Sequence, residues 1–277
     1  GLKQYGKSKE HRPNPIVQMG LFLDGNGIPL AFDLTPGNTN EQKTLLPLEK
    51  RIMRDFALSK LVVCTDAGLS SKTNRSFNSF ANRAYVTVQS LKKLKQHLKD
   101  WALDPQAWHL NGSSTVFNLN DIDLEDNTAV YTKERWIHEN GLEERLIISF
   151  SPKYKRYQET IRGRQIERAC HQIEVKAPAR SAKNPNDPAR FIQELKTTPS
   201  GEVAQQRHLS LDLDKIDNER QYDGFYGVVT NIEDDVQTIL RINQRRWEIE
   251  ESFRIMKSEF KARPVYLQNE KRIEAHF

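Results

Sequence analysis

Cysteine is scarce in this chain of 277 residues, which contains only Cys64 and Cys170. Neither belongs to a Cys-x-x-Cys pair, and the seven histidines are scattered, so the sequence lacks the ligand spacing of a zinc site. It also lacks an apolar run of about 18 residues and a secretory signal peptide. These absences argue against a zinc-bound fold and predict a soluble, cytoplasmic protein with no membrane span.

Charge, in contrast, is abundant, and its positive part is clustered. Charged residues make up 29% of the chain, with 42 Lys and Arg against 37 Asp and Glu, and a hydrophobic share of 37% argues against disorder. Residues 151–168 carry six basic residues against two glutamates, and residues 241–263 carry seven against four. Such clusters suit an anionic partner such as the phosphate backbone of DNA, although a solvated helix can carry the same run.

The first 90 residues predict an α/β unit. Two apolar runs flank the sequence Asp-Gly-Asn-Gly at residues 24–27, which is typical of a β-hairpin turn. Beyond the hairpin, the apolar spacing alternates between that of a helix and that of a strand. The predicted elements are two strands, a helix, a strand, a helix and a strand, over residues 16–24, 28–35, 41–57, 61–65, 70–82 and 84–89.

The next 130 residues differ in character. They predict basic helices over 91–101 and 154–174, a hairpin formed by 129–137 and 143–150, and a proline-bearing loop over 176–190. A strand at Phe225–Thr230 then leads into a long helix. We therefore predict an α/β core made of residues 1–90 and 222–277, interrupted by an α+β insertion over residues 91–221.

The long helix is predicted because neither Gly nor Pro occurs between Asp234 and Ala262. At about 100° per residue, its predicted core face consists of Ile242, Ile249, Phe253, Met256 and Phe260. Beside that face lie Asn243, Arg246, Glu250 and Lys257. A carboxylate at the edge of a buried stripe needs a partner or a metal. The alternative is that Glu250 only forms surface i,i+4 pairs with Arg246 and Arg254.

Asp66 is the second candidate site residue. It follows the apolar run Leu61–Thr65, and the carboxyl end of a buried strand is where α/β sheets place ligand-binding groups. Asp before Ala-Gly is also a common turn former, so the residues alone leave a turn role and a metal-binding role open. Two-metal phosphoryl transfer needs carboxylates from separate chain segments, and Asp66 with Glu250 would meet that need.

The pattern Arg-x3-Glu-x6-Lys, formed by Arg246, Glu250 and Lys257, resembles the signature of bacterial insertion-sequence transposases. The branch that it resembles is the insertion-sequence-four family, known for a Tyr-Arg-Glu-Lys motif, and Asn243 stands where that motif has tyrosine. Residues 7–13, residues 36–39, the strand before Asp66 and the helix from residue 244 extend the resemblance nearly from end to end.

This resemblance implies a ribonuclease H-like mixed sheet with helices and an Asp-Asp-Glu catalytic triad. Asp66 would be its second member and Glu250 its third, and together they would hold Mg²⁺ or Mn²⁺ in a two-metal site. In the family the first aspartate lies on the first strand, which would precede Gly1, so the chain is expected to be a fragment. Asp24 and Asp33 are the alternatives within the chain, but Asp24 is better explained as a turn residue.

The resemblance also implies double-stranded DNA as the substrate, bound by a homodimer in a bacterial or archaeal cell, in association with the nucleoid. One strand is cleaved at each transposon end, and the freed 3′-hydroxyl attacks target DNA. The predicted DNA-binding residues are Arg246, Lys257, Asn243, Arg254, Lys153, Arg156 and Arg162. Three tryptophans of the insertion could stack on a displaced base or be core residues: Trp101, Trp108 and Trp136.

Two other functions remain open at this stage. One is a ribonuclease H-like nuclease of another kind, which would use the same carboxylates without strand transfer. The other is a catalytically incomplete DNA-binding remnant of a transposase, which would bind DNA in a salt-sensitive way without needing Glu250.

Overall fold

The computed structural model describes residues 1–6, 13–110, 113–175, 181–182, 184, 186–197 and 203–277. Its strands are β1 (Val17–Leu23), β2 (Pro29–Pro36), β3 (Leu61–Thr65), β4 (Arg83–Gln89), β5 (Trp108–Leu110), β6 (Val116–Phe117), β7 (Tyr131–Glu139), β8 (Leu142–Phe150), β9 (Ile192–Thr197), β10 (Val203–Leu211) and β11 (Phe225–Thr230). Its helices are α1 (Leu45–Asp55), α2 (Lys72–Phe77), α3 (Gln96–Leu103), α4 (Pro152–Glu174), α5 (Leu213–Arg220), α6 (Val236–Gln244), α7 (Trp247–Ser258) and α8 (Glu270–His276). Short 3₁₀ turns lie at Glu41–Lys43, Leu91–Lys93 and Pro188–Phe191.

The strands form one large sheet and two small ones. The large sheet has seven strands in the order β3-β4-β11-β8-β7-β5-β6, while β1 pairs with β2 and β9 pairs with β10. Strands β3 and β4 are parallel, whereas β5 is antiparallel to both of its neighbours, so the large sheet is mixed. A mixed sheet combined with helices confirms the predicted α/β fold class and is consistent with a ribonuclease H-like fold.

Contacts divide the chain into two compact units. The first contains Gly1–Ser90, Glu134–Ile147 and Val228–Phe277, and the second contains Leu91–Lys133 and Ile148–Gly227. The division of the chain into a core over 1–90 and 222–277 and an insertion over 91–221 stays a prediction. Residues 7–12, part of one motif behind the resemblance, and much of the predicted loop over 176–190 lie outside the described residues.

The hairpin predicted around residues 24–27 is confirmed as the β1–β2 pair, and its turn has a clear local cause. The Oδ1 atom of Asp24 accepts hydrogen bonds from the backbone N–H of Asn26 at 2.8 Å and of Ile28 at 2.9 Å. Gly27 has a φ of +80°, which a residue with a side chain rarely adopts. Asp24 therefore acts as the turn residue that its sequence context predicts.

In the first unit, helices pack on the parallel pair β3–β4. Apolar side chains there are almost fully buried, namely Leu48, Ile52, Val63, Val86 and Ile239. Ser71 caps α2 by accepting a hydrogen bond from Asn74 N–H, and Asp235 caps α6 in the same way through Thr238 N–H. These caps set where the two helices begin, and hence how they lie against the end of β3.

Two carboxylates are fully buried within the first unit. Glu144 accepts hydrogen bonds from Arg75 Nη1, at 2.7 Å to each oxygen, and from the Tyr85 hydroxyl. Glu49 accepts only from Asn78 Nδ2, at 3.0 and 3.1 Å, among its described hydrogen bonds. Burial raises the pKa of Glu49 to about 7, although the bond from Asn78 and the charge of Arg83 act in the opposite direction.

The free energy of unfolding is therefore expected to fall as pH rises from about 4.5, the ordinary pKa of the Glu49 carboxyl, to about 7, its pKa in the folded chain. Over that window the folded chain binds more protons than the unfolded chain, because the folded pKa is the higher one. Glu49→Gln should remove up to about 3 kcal/mol of this loss. Urea unfolding between pH 4 and pH 8 measures it, with exposed Glu41→Gln as the control. An unchanged pH dependence in Glu49→Gln would show that this carboxyl is not the cause.

The second unit has an aromatic core around Trp108, which is fully buried. Its ring lies 6.5 Å from that of Phe150 and 5.7 Å from that of Phe225, and its Nε1 donates to the carbonyl of Asp104. Lys133 extends over the same ring at 5.4 Å. The core alternative is thus confirmed for Trp108, whereas Trp136 is 45% exposed.

The predicted continuous helix over residues 234–262 is wrong, because the structure has α6 and α7 separated at Arg245 and Arg246. The hydrogen bonds at this junction span three residues instead of four, as in Arg246 N–H to Asn243 C=O at 3.2 Å. The Arg245 guanidinium donates to the carbonyl of Gly25, a long-range contact that no helical periodicity reveals. Since α7 ends at Ser258, Phe260 lies beyond the helix and is 77% exposed, so it does not belong to the core face.

Candidate metal site and nucleic-acid interface

Asp66 lies directly after β3 and is exposed. Its Oδ1 accepts hydrogen bonds from the backbone N–H of Gly68 at 2.9 Å and of Leu69 at 3.2 Å, which confirms the turn role. Its Oδ2 accepts no hydrogen bond from a residue that the structure describes. The turn therefore fixes the direction of the carboxylate and leaves one oxygen able to bind a cation, so the two roles are compatible.

The backbone of Asp66 is also held by the neighbouring strand. The Thr87 hydroxyl on β4 donates to the Asp66 carbonyl at 3.2 Å and accepts from the Thr65 hydroxyl at 3.0 Å. Thr87 is 1% exposed, so this contact is shielded from water. Thr87 was not predicted from the sequence, because its role depends on the parallel register that pairs it with Thr65 at the end of β3.

Glu250 lies in the first turn of α7 and is exposed. Neither of the surface pairs considered for it forms, and no described residue pairs with its carboxylate. Arg254 instead binds Glu251, with Nε 2.8 Å from Oε2, and this contact lowers the pKa of Glu251 and raises that of Arg254. Glu250 is thus left as a solvent-facing carboxylate without a cationic partner among the described residues.

The start of α7 follows directly on α6, which packs against β3 and β4. Burial raises the pKa of the Cys64 thiol on β3 to about 11, while the positive charge of Arg246 at the α6–α7 junction acts in the opposite direction. Asp66 lies two residues after Cys64, just beyond the end of β3. Arg246 and Glu250 lie four residues apart at the start of α7, about 6 Å along the helix axis. The two carboxylates therefore belong to neighbouring segments of the first unit.

The hairpin turn fixes the same end of α7 from a second direction. Besides the bond from Arg245 to the carbonyl of Gly25, the side chain of Glu248 packs on Gly27. A Cβ atom at Gly27 would lie 3.0 Å from Glu248 Oε2, so the Glu248 side chain would have to shift, and the φ of +80° also disfavours any residue with a side chain. Glu248 is half-buried in this contact.

No group of three or more Asp, Glu, His or Cys side chains suited to a metal occurs within the described part of the chain. Asp24 is occupied by its turn, and Asp33 Oδ1 lies 2.5 Å from Arg51 Nη2 in an ion pair. Neither alternative for the third carboxylate therefore joins Asp66 or Glu250 in such a group. The described residues therefore offer two candidate carboxylate ligands, Asp66 and Glu250, and the third member of the triad stays a prediction.

The predicted DNA-binding residues of the α6–α7 segment differ in exposure. Arg246 is half-buried and Lys257 is exposed, with its Nζ 5.6 Å from the centroid of the Phe253 ring. Asn243 is 8% exposed, which favours a packing role at the helix junction over direct DNA contact. Arg254 is exposed but engaged with Glu251.

The predicted DNA-binding residues of α4 fall into three environments. Lys153 is exposed and pairs with no described residue. Arg156 donates to the Leu124 carbonyl and to Asn127 Oδ1, so it holds a loop of its own unit. Arg162 is 7% exposed and its two terminal nitrogens bind the two carboxylate oxygens of Asp223. The prediction that Arg162 contacts DNA is not retained, because its guanidinium is buried and fully engaged.

The fold is that of a mixed-sheet α/β protein with carboxylates exposed at a strand end and on an adjacent helix, an arrangement suited to a nucleic-acid-processing enzyme of the ribonuclease H-like class. The sequence model of the transposase DDE domain family matches residues 2–277, and the chain belongs to that family. The predicted membership of the Asp-Asp-Glu transposases is thereby confirmed, whereas the insertion-sequence-four branch stays a prediction. No curated protein matches the chain. None of the helices in the described ranges has the length and apolar character needed to cross a membrane.

Proposed function

We propose that this protein is a DNA transposase that cleaves and transfers strands at the ends of an insertion sequence, with Asp66 and Glu250 as metal ligands. The observation that carries the proposal is the pair of exposed carboxylates, on neighbouring segments of the first unit, that have no cationic partner among the described residues. Family membership supplies DNA as the substrate. Two other carboxylates of the first unit are paired with cations instead, Glu144 with Arg75 and Asp33 with Arg51.

The donor set suits Mg²⁺ or Mn²⁺, because both ions prefer carboxylate oxygens. When bound, a pair of such ions stabilises negative charge on the attacking and leaving oxygens of a phosphoryl transfer. Asp66 contributes a carboxylate already oriented by the N–H groups of Gly68 and Leu69. Glu250 contributes one held on α7, whose first turn is fixed by the hairpin.

We further propose that the third carboxylate is carried by an additional strand between β1 and β3. Among the described strands, β1 pairs only with β2 and β3 pairs only with β4, so each presents an open edge. All seven residues of β1 are partly exposed, Val62 on β3 is 49% exposed, and none of the described residues of α7 is fully buried. A strand in this position would satisfy both edges and would lie beside Asp66.

Phosphate contacts are proposed for Arg246 and Lys257, and a secondary one for Arg254. Lys257 lies seven residues after Glu250, which is two helical turns and therefore the same face of α7. Arg246 offers a planar fork of donors suited to a phosphate. The spacing of Arg246, Glu250 and Lys257 supports the Tyr-Arg-Glu-Lys branch, with Asn243 replacing its tyrosine. A homodimer on paired DNA ends is part of the same proposal.

A strand-joining assay tests this function. DNA carrying the element's own ends, labelled at the 3′ terminus, is incubated with Mn²⁺ and a target plasmid, using residues 1–277 and a version extended upstream by its native codons. We expect the extended version to cleave the ends and join the label to the plasmid. Cleavage without joining would indicate another nuclease, and salt-sensitive binding with neither would indicate a remnant. Activity of residues 1–277 alone would contradict the additional strand and return attention to Asp24 and Asp33.

A further inference from the structure

We infer that one exposed face of α4 is a second DNA-binding surface, which contacts the phosphate backbone of the double helix. The face, here called the α4 face, is defined by Lys153, Tyr157, Arg164 and Arg168. This inference rests on the proposed function for the identity of the nucleic acid. It replaces the predicted contacts of Arg156 and Arg162, which the structure assigns to other partners.

The four residues form a straight stripe because of their spacing. Tyr157, Arg164 and Arg168 lie 4, 11 and 15 residues after Lys153. At 100° per residue, all four side chains fall within an arc of about 60°. The stripe runs about 22 Å along a helix that rises about 1.5 Å per residue. The opposite side of α4 is buried and includes Arg162, Gln165 and Ala169. The face therefore points away from the core of the second unit.

The cations of α4 fall into two groups, those that bind another described residue and those that do not. Lys155 pairs with Glu159, Arg156 with the loop around Leu124, and Arg162 with Asp223. In contrast, none of the three cations on the α4 face has a partner among the described residues. Arg164 and Arg168 also repel each other at i,i+4 spacing, at a cost of about 0.2–0.5 kcal/mol, which a bound anion would relieve. The balancing charge is thus expected to come from another molecule.

Tyr157 adds a neutral donor between the cations. It is 60% exposed, and its ring stacks on that of Tyr154, with centroids 6.2 Å apart and planes 19° from parallel. Stacking holds the exposed ring in place, so the hydroxyl can donate to a phosphate at little entropic cost. The exposed aliphatic side chains on this side of the helix are Ile161, which is 36% exposed, and Val175 at the C-cap, which is 58% exposed. A membrane-binding face would need far more apolar surface, so a polyanion is the better partner.

The salt dependence of DNA binding tests the inference. The triple variant Lys153→Gln/Arg164→Gln/Arg168→Gln should weaken binding and lower the slope of log K against log salt by about 2.7, because each phosphate contact contributes about 0.9. Between 50 and 200 mM salt, its affinity should fall about 40-fold less than that of the parent. The matched control is Lys60→Gln/Lys93→Gln/Lys271→Gln, which removes three exposed lysines on other elements. We expect this control to keep the parental slope.

Thermal unfolding of both variants should match that of the parent, because all six side chains are exposed. Equal slope changes in the two variants, or none in the α4 variant, would overturn the α4 face as a binding surface. The strand-joining assay separates this failure from that of the proposed function. If joining occurs and the slope is unchanged, the α4 face alone is wrong. If the slope falls without joining, the surface binds DNA and the proposed strand-transfer activity is wrong.

Discussion

Glu250→Gln is expected to lower the rate of Mn²⁺-dependent strand cleavage by about 10³-fold or more. Removing one metal ligand loses several kcal/mol of transition-state stabilisation, and each 1.36 kcal/mol corresponds to a factor of ten. Asp66→Asn should have a comparable effect, and the double variant should be little worse than either, since the two residues act as a unit. DNA affinity should change little, because neither carboxylate attracts phosphate. Cleavage of end-bearing DNA and a binding titration measure the two quantities.

Glu251→Gln is the matched control for this prediction. It removes a carboxylate from the same turn of α7, but one that binds Arg254 and has no proposed metal. We expect a change of less than about threefold, since an exposed ion pair contributes little. Equal losses in Glu250→Gln and Glu251→Gln would mean that charge on α7, and not a ligand at Glu250, supports cleavage.

The second large effect concerns stability and separates the structural cations of α4 from its surface cations. Arg162→Leu should lower the free energy of unfolding by about 3–5 kcal/mol, because it leaves the buried carboxylate of Asp223 without its bidentate partner. Arg164→Leu, two residues along the helix but exposed, should change it by less than about 0.5 kcal/mol. Urea unfolding of the three proteins measures the difference.

The double variant Arg162→Leu/Asp223→Leu completes this test. Replacing a whole buried ion pair with apolar residues is often neutral, so we expect much of the lost stability to return. If Arg162→Leu were as stable as the parent and instead bound DNA more weakly, then Arg162 would contact DNA and the buried pair would not describe the protein in solution.

Local patterns in the sequence were sufficient for much of the first unit. The turn at residues 24–27 depends on Asp24 and Gly27, and the strand before Asp66 on a short apolar run, so both could be predicted from neighbouring residues. The break between α6 and α7 could not be predicted, because it involves Gly25, which lies 220 residues from Arg245. The partner of Arg254 was missed for a related reason, since i,i+3 and i,i+4 glutamates compete for one guanidinium.

The second unit was harder to predict because its elements are short or depend on distant partners. Strands β5 and β6 contain three and two residues, too few to show a periodicity, and β9, β10 and α5 were also missed. Clustered charge identified α4 as a basic helix but not which cations face outward. Arg162 and Arg164 look alike in the sequence, and only the position of Asp223 distinguishes them. The helical spacing of Lys153, Tyr157, Arg164 and Arg168 was nevertheless available as a signal.

The measurement that tests the central claim most directly is iron-mediated cleavage of the protein backbone. Fe²⁺ substitutes for Mg²⁺ at carboxylate sites and, with ascorbate and peroxide, cuts the chain next to the bound ion. We predict cuts beside both Asp66 and Glu250, which excess Mg²⁺ suppresses together and which Asp66→Asn or Glu250→Gln weakens at both positions. Cuts at other carboxylates, or cuts at only one of the two positions, would contradict a shared metal site.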